Sequence, residues 1–338
     1  MTKRFLWIIL LAAAAASVAL PAETINAAGA TFPAPIYQKW FEEFHKAHPD
    51  VQINYQSIGS GGGIRQLTEG TVDFGASDMP MTDDQLKAVT KYHVLHFPTV
   101  LGAVVPTYNI TGVSMDMRFS GETLAGIYLG NIKKWNDPAL KKDNPGMNLP
   151  NEDITVVHRS DGSGTTFVWT DYLSKLSPAW KGKVGANTSV NWPVGLGGKG
   201  NEGVAGLVKQ TPGSIGYVEL IYAVQTKMPY GMVKNAAGLF VKADFDSVTE
   251  AAAGASKEMP ADFRVSISNA PGKGTYPISS FTWMLIPEKI DNAQKKAAIT
   301  EFLKWMMTTG QQDCAAMSYA SLPKPVVDKE EKQIAMIK

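Results

Sequence analysis

Apolar side chains return every third or fourth residue in several stretches of the chain, and these spacings predict helices. Ile36, Trp40, Phe41 and Phe44 form one such face, with Thr31 as its N-cap, Pro33 in its first turn and His48-Pro49 as its stop. Phe167, Val168, Tyr172, Leu173 and Leu176 form a second, and Ala297, Ile299, Phe302, Leu303, Trp305 and Met306 a third. Ser120 caps a further helix that runs through Leu129, before a turn at Trp135-Asn136-Asp137-Pro138. Strands are predicted where Val51, Ile53 and Tyr55 alternate with Gln52, Asn54 and Gln56, and in the β-branched or apolar runs 72–76, 97–109, 154–157, 215–218 and 277–286. Strand, glycine turn and helix follow one another around 59–63 and again around 159–164, which is the pattern of an α/β fold with its ligands beyond the carboxyl ends of strands. The long runs 97–109 and 277–286 are suited to crossing from one domain to another and back. Residues 230–275, rich in Ala, Gly and Lys, show too little periodicity to assign.

With 338 residues, 44% of them apolar, the chain has enough core for two ordinary domains. Its N-terminus stands apart: Lys3 and Arg4, an uncharged apolar run over 5–20 and then small residues predict a secretory signal peptide over residues 1–22, cleaved after Ala19 or Ala22. That run is shorter than the ~20 residues of a spanning helix, and no later stretch reaches this length, so the mature protein is not expected to be inserted in a membrane. Cys314 is the only cysteine, which excludes an intrachain disulfide and leaves no cysteine for lipidation at the cleavage point. Together these features predict a free protein of an exported compartment, most simply a bacterial periplasm. Cleavage takes two basic residues from 32 Lys and Arg against 31 Asp and Glu, so the mature chain is about neutral. With no basic stripe and no zinc spacing, nucleic acid is not expected as a partner.

Any anion must then be gripped by local dipoles and one or two charges. The strongest candidate is RSDGSGTTF at 159–167, where a strand turns into a helix. The first N–H groups of that helix have no intrahelical acceptor and its dipole is positive there, so Ser163, Gly164 and Thr165 offer N–H and hydroxyl donors. Arg159 adds a planar, permanent charge that Asp161 can brace. A Ser-capped helix beside a surface Arg–Asp pair is the competing reading of this run alone. Thr31-Phe32 and Ser60 lie at two further helix starts, and Asp78 follows the strand at 72–76.

The enzyme motifs fail on inspection. Asp161-Gly162-Ser163-Gly164 lacks the first glycine of a nucleophile elbow, and no histidine is placed to activate Ser163. Gly198-Lys199 is followed by Gly200, not by Ser or Thr, so there is no phosphate loop of the nucleotide-hydrolase kind. His45 with His48, and His93 with His96, are spaced to share a helix face but lack a third ligand, and solvated or partly buried histidines outweigh a metal site. Met79 and Met81 read as core or cleft filler. No metal and no cofactor is expected. Three helix starts with one Arg and one Asp make a polar cage, not a catalytic apparatus.

Seven segments carry a resemblance that spans almost the whole mature chain: AGATFPAP at 28–35, IGSGGG at 58–63, VDFGASD at 72–78, RSDGSGTTF at 159–167, WPVGLGGKGNEGV at 192–204, GSIGYVE at 213–219 and YASLP at 319–323. Together they resemble the periplasmic phosphate-binding proteins of phosphate ABC transporters. The resemblance implies a two-lobed α/β periplasmic-binding-protein fold of type II, each lobe a mixed β-sheet flanked by helices, with two crossovers and phosphate in the cleft. It implies a first lobe of residues 23–104 and 276–338 and a second of 105–275. Thr31, Phe32 and Ser60 would donate from the first lobe, and Arg159, Ser163, Gly164 and Thr165 from the second. Asp78 would accept a hydrogen bond from the phosphate's own proton, and Asp161 would orient Arg159 without touching the ligand. The partners implied are inorganic phosphate and the permease subunits of a phosphate ABC transporter with their ATPase, for a receptor that is a monomer and catalyses nothing. The rivals are a receptor of the same fold for sulfate, molybdate or tungstate, a secreted phosphatase or esterase using Ser163, and a structural or adhesive secreted protein.

Overall fold

The computed structural model describes residues 22–113 and 116–338, so all but the last residue of the expected signal peptide lies outside the described residues. Among the described residues eleven strands occur in chain order: β1 (Glu23–Gly29), β2 (Val51–Ser57), β3 (Phe74–Ser77), β4 (Val94–Asn109), β5 (Arg118–Phe119), β6 (Thr155–Arg159), β7 (Leu196–Gly198), β8 (Ser214–Glu219), β9 (Met232–Lys234), β10 (Phe240–Val241) and β11 (Ser279–Pro287). Eight of them form one sheet in the order β2-β1-β3-β11-β4-β8-β6-β7, and β10-β9-β5 form a small second sheet.

The large sheet is two half-sheets joined by a single strand. From Val94 to Ala103, β4 pairs antiparallel with β11; from Val104 to Asn109 it pairs antiparallel with β8. Its interior residues are buried along the whole length, as are all those of β11, and this explains the long apolar runs without alternation. β1 is parallel to both β2 and β3, with Gly29 opposite Ser57 and Ala76, so the three strands end along one line. On the other side β6 is parallel to β7 and β8, with Arg159 opposite Gly198. The turns that follow these two sets of carboxyl ends face each other across β4.

Helices cover both half-sheets. The helix Ala34–Ala47 buries Ile36, Trp40, Phe41 and Phe44. Phe41 and Phe44 each lie 5.2 Å, centroid to centroid, from Phe302 of the helix Ala293–Thr308, contacts worth about 0.5–1.5 kcal/mol each beyond their burial. In the other half Trp169 of the helix Gly164–Leu176 stacks on Tyr217 of β8 at 5.0 Å. No helix of the described residues is long and apolar enough to cross a membrane.

Some local expectations need correction. Thr31 is not a helix N-cap: Pro33 occupies that position without a side-chain bond, and Thr31 sits in the turn before it, where its carbonyl accepts from Ala34 N–H at 3.3 Å. Proline fixes its own φ at a helical value, so the helix starts after it and the threonine hydroxyl is left for another partner. Strand β3 begins at Phe74, because Asp73 turns its carboxylate to the Asn26 N–H and the Lys295 ammonium. His93 and His96 share no helix; His96 lies on β4, buried, and its Nε2 accepts from Met81 N–H. Residues 230–275 contain β9, β10 and the helix Phe245–Glu258, whose N-cap Asp244 and Ser247 form a reciprocal capping box. A last helix, Lys324–Ile334, packs against β4.

Candidate functional site

The turns beyond the strand ends carry every candidate residue to one place. Thr31 follows β1, Ser60 opens the helix after β2, and Asp78 directly follows β3. From the other half, Arg159 ends β6, Ser163 caps the next helix, and Gly164 and Thr165 are that helix's first two residues. All of them, with Phe32, are buried. The two halves touch directly. Gly61 N–H donates to Gly162 O at 2.9 Å, Tyr222 OH to Thr31 O at 2.5 Å, and Asn201 Nδ2 to Thr31 Oγ1 at 2.8 Å. Gly59 has φ of +87°, and a Cβ there would run into Gly162 O at 2.6 Å, so the turn needs glycine both for its conformation and for this approach.

Arg159 is held as a rigid fork. Its Nε donates to Asp161 Oδ1 at 2.8 Å and one terminal nitrogen to Oδ2 at 2.5 Å, while the other donates to Thr165 Oγ1 at 3.2 Å. Asp161 also accepts from Gly200 N–H at 3.1 Å. Burial works to raise the Asp161 carboxyl, yet the Arg159 hydrogen bonds and charge outweigh it and hold the group below the usual carboxylate range. Arg159 is buried and Asp161 partly so, and the bidentate pairing holds the guanidinium in place for an anion.

The hydroxyls are primed as donors. Ser60 Oγ accepts from Asp78 N–H at 3.1 Å, and Thr31 Oγ1 from Asn201. Ser163 Oγ accepts from Thr166 N–H at 3.0 Å, and Thr165 Oγ1 from both Arg159 and Asn201. A hydroxyl whose lone pairs are taken by N–H groups has its own proton left to give. One expectation changes: the Ser163 N–H is bonded to Thr188 O at 2.8 Å, because an N-cap residue's amide lies outside the helix and finds a loop carbonyl. Ser163 therefore contributes a hydroxyl but no amide. Its cap bond, and a His158 whose Nδ1 faces Arg159 O, give no sign of an activated nucleophile.

Asp78 is the acceptor among these donors. Its Oδ1 accepts from Thr282 Oγ1 at 2.7 Å, while Oδ2 is buried without a hydrogen-bond partner and lies against Gly164. Burial pushes its carboxyl up to about 7, against the opposing pull of the Thr282 hydroxyl, the Arg159 charge and the Ser60 hydroxyl. Glu219, also fully buried, is pushed well above the usual carboxylate range by burial, with the Asp78 charge adding to the rise.

Asn201, Tyr222, Thr282 and Tyr319 were not recognised as part of this site from the residues alone. Tyr319 OH donates to Phe32 O at 2.6 Å, and the Phe32 ring presses on Gly102, where a Cβ would stand 2.6 Å from it. Asn201 and Tyr319 lie inside the KGNEG and YASLP segments, so the signal was present as motif without a role; Tyr222 and Thr282 carried none.

The sequence profile of the PBP superfamily domain matches residues 14–309. The phosphate-binding protein PstS of Xylella fastidiosa is 46% identical over 308 residues, covering 91% of this chain and 84% of the relative. That of Pasteurella multocida is 43% identical over 334 residues, covering 98% and 96%. Among solved structures, a high affinity periplasmic phosphate-binding protein (PfluDING) bound with phosphate superposes with a TM-score of 0.75 at 21% identity, over 92% of this chain and 93% of that one. The phosphate-binding protein from Stenotrophomonas maltophilia does so with 0.69 at 21%, over 90% and 92%. These likenesses establish the fold as that of the type II periplasmic binding proteins, with the joined half-sheets as its two lobes. On its sequence identity to such relatives over nearly its full length, the chain belongs to the PstS family of phosphate-binding proteins within the PBP superfamily.

Proposed function

We propose that this protein is a periplasmic receptor that binds inorganic phosphate between its two lobes and delivers it to the permease subunits and ATPase of a phosphate ABC transporter, without catalysis of its own. The first lobe comprises 23–104 and 276–338 and the second 105–275. Thr31, Phe32, Ser60 and Asp78 meet the ligand from the first, and Arg159, Ser163, Gly164 and Thr165 from the second. Export follows from the signal peptide at 1–22, and the receptor acts as a monomer.

The observation that carries this reading is a buried cage of donors from both lobes around an unpartnered carboxylate oxygen, Asp78 Oδ2. Removing a divalent anion from water is costly, but hydrogen bonds to charged groups are each worth roughly 1.5–3 kcal/mol net. Several preorganised ones can supply the ~8 kcal/mol that micromolar binding requires. This acceptor selects an anion that retains a proton. Phosphate does so near neutral pH, whereas sulfate and molybdate bring only lone pairs and a like charge.

The test is thermal melting with scattering. Phosphate at about a thousand times its Kd should stabilise the fold by roughly 4 kcal/mol through mass action and raise Tm. It should also shrink the radius of gyration of any open fraction as the lobes close. Sulfate at the same concentration should leave both nearly unchanged. A phosphate response no larger than the sulfate response would refute the reading.

A further inference from the structure

Asn201 is fully buried in the first turn of the helix Gly200–Gln210, just beyond the carboxyl end of β7, and its amide reaches hydroxyls on both lobes. Its Oδ1 accepts from Glu219 N–H at 3.0 Å. A backbone N–H can only donate, so this bond decides which end of the amide is oxygen. The Nδ2 end must then face Thr31 Oγ1 at 2.8 Å and Thr165 Oγ1 at 3.2 Å, and it spends both of its protons there. Thr165 Oγ1 accepts a second time from Arg159 at 3.2 Å, which fills both of its lone pairs. That hydroxyl has no accepting capacity left. Apart from the proton that Asp78 accepts, phosphate presents only lone pairs, so a hydroxyl restricted to donating is what the rest of its cage requires.

We propose that Asn201 is a positioning residue for phosphate capture. Oriented by the Glu219 amide, it turns the Thr31 and Thr165 hydroxyl protons toward the ligand and ties one lobe to the other in the closed form. This role rests on the phosphate reading above and adds to it a polarity switch that the ligand never touches. Because Thr31 and Thr165 belong to different lobes, both protons are set only when the cleft is shut, so full complementarity to the anion and closure arise together.

The test sets an isosteric variant against a truncated one. If Asn201 only fills space, Asn201→Asp keeps the shape and Asn201→Ala does the greater harm. If it orients hydroxyls, the carboxylate of Asn201→Asp accepts from both threonines and turns their protons away from phosphate, so Asp does the greater harm. Calorimetry with inorganic phosphate at fixed pH should show about a tenfold loss for Ala, the scale of one lost net hydrogen bond, and at least a further tenfold for Asp. The added charge alone also repels phosphate, and a double-mutant cycle separates the two effects. In a Thr31→Val, Thr165→Val background there are no hydroxyl protons to misdirect, so the extra loss of Asp over Ala should shrink at least fivefold and the Ala loss should nearly vanish. Losses that add unchanged in that background, or Ala worse than Asp, would overturn the role.

Should the Asp variant not fold, the Ala arm of the same cycle decides alone. If wild-type protein binds no phosphate, the receptor reading fails by itself, and scattering on the ligand-free proteins still reads the bridge. Asn201→Ala should then have a larger radius of gyration than wild type, and equal radii would overturn the bridge as well.

Discussion

Replacing Asp78 by Asn tests the electrostatics of the cage in two independent ways. Burial raises this carboxyl from 3.8 to about 7 in the folded protein. Below pH 3.8 the group is neutral in both folded and unfolded chains and costs nothing. As pH rises toward 7 the unfolded chain releases the proton while the folded one retains it, so stability falls, and above 7 the loss is complete and constant. A shift of about three units at 1.36 kcal/mol each makes that loss about 4 kcal/mol. The amide of the variant has no proton to release. In urea melts without phosphate or sulfate, the stability of Asp78→Asn relative to wild type should therefore grow by about 4 kcal/mol between about pH 4 and pH 8. Buried acids that Asp78 does not influence cancel in the difference, whereas Glu219, relieved of the Asp78 charge in the variant, adds to it in the same direction. The second readout is sulfate. Having no proton to give, sulfate needs the protonated carboxyl, so its affinity for wild type should rise about tenfold per unit as pH falls toward 7 and then level off. In the variant it should be independent of pH and, at about pH 8, roughly 10- to 100-fold tighter than in wild type, as one donor replaces one repulsion. Parallel stability curves together with sulfate affinities of the same pH dependence in both proteins would refute the reasoning.

Other expectations follow from the same geometry. Gly164→Ala places a Cβ 2.5 Å from Asp78 Oδ2 across the cleft, while its helical backbone accepts alanine; phosphate affinity should fall at least 100-fold with the ligand-free Tm unchanged, and scattering should show no closure on adding phosphate. Arg159→Ala removes a charge and two donors from a buried site and leaves Asp161 unpaired, so calorimetry should find the largest loss there. Thr165→Ala should cost less because its backbone N–H survives. Asp161→Asn should cost less than Arg159→Ala, since its amide oxygen still holds one side of the fork, and equal losses across the three would mean the contacts are misassigned.

Much of this molecule was legible in local pattern. The helix faces at Ile36–Phe44 and Phe302–Met306, the crossing run at 97–109 and the strand-to-helix turn at Arg159–Thr165 follow from periodicity and capping, because each is set by neighbours within a few residues. The donors at helix starts could be named for the same reason. Where local signals compete, the pattern misleads: Thr31 looks like a cap until Pro33 claims that position, and the histidines at 93 and 96 fit a helix spacing until pairing with β11 extends the chain from Val94, with His96 inside β4 and His93 just before it. What holds the hydroxyls to donating was not legible. Whether Thr165 donates or accepts depends on Arg159, six residues away, and on Asn201, thirty-six residues away, and the Asn201 amide is itself oriented by the end of β8. The same holds for Asp78, whose carboxyl is an ordinary acid in sequence and is moved to about 7 only by burial under distant segments such as the helix start at Gly164, against the pull of the Thr282 hydroxyl. The sequence by itself determined which groups arrive at the cleft, since strand ends and helix starts are local. Tertiary structure alone decided their protonation and the direction of their protons, because desolvation and lone-pair occupancy are set by whatever the rest of the chain brings alongside.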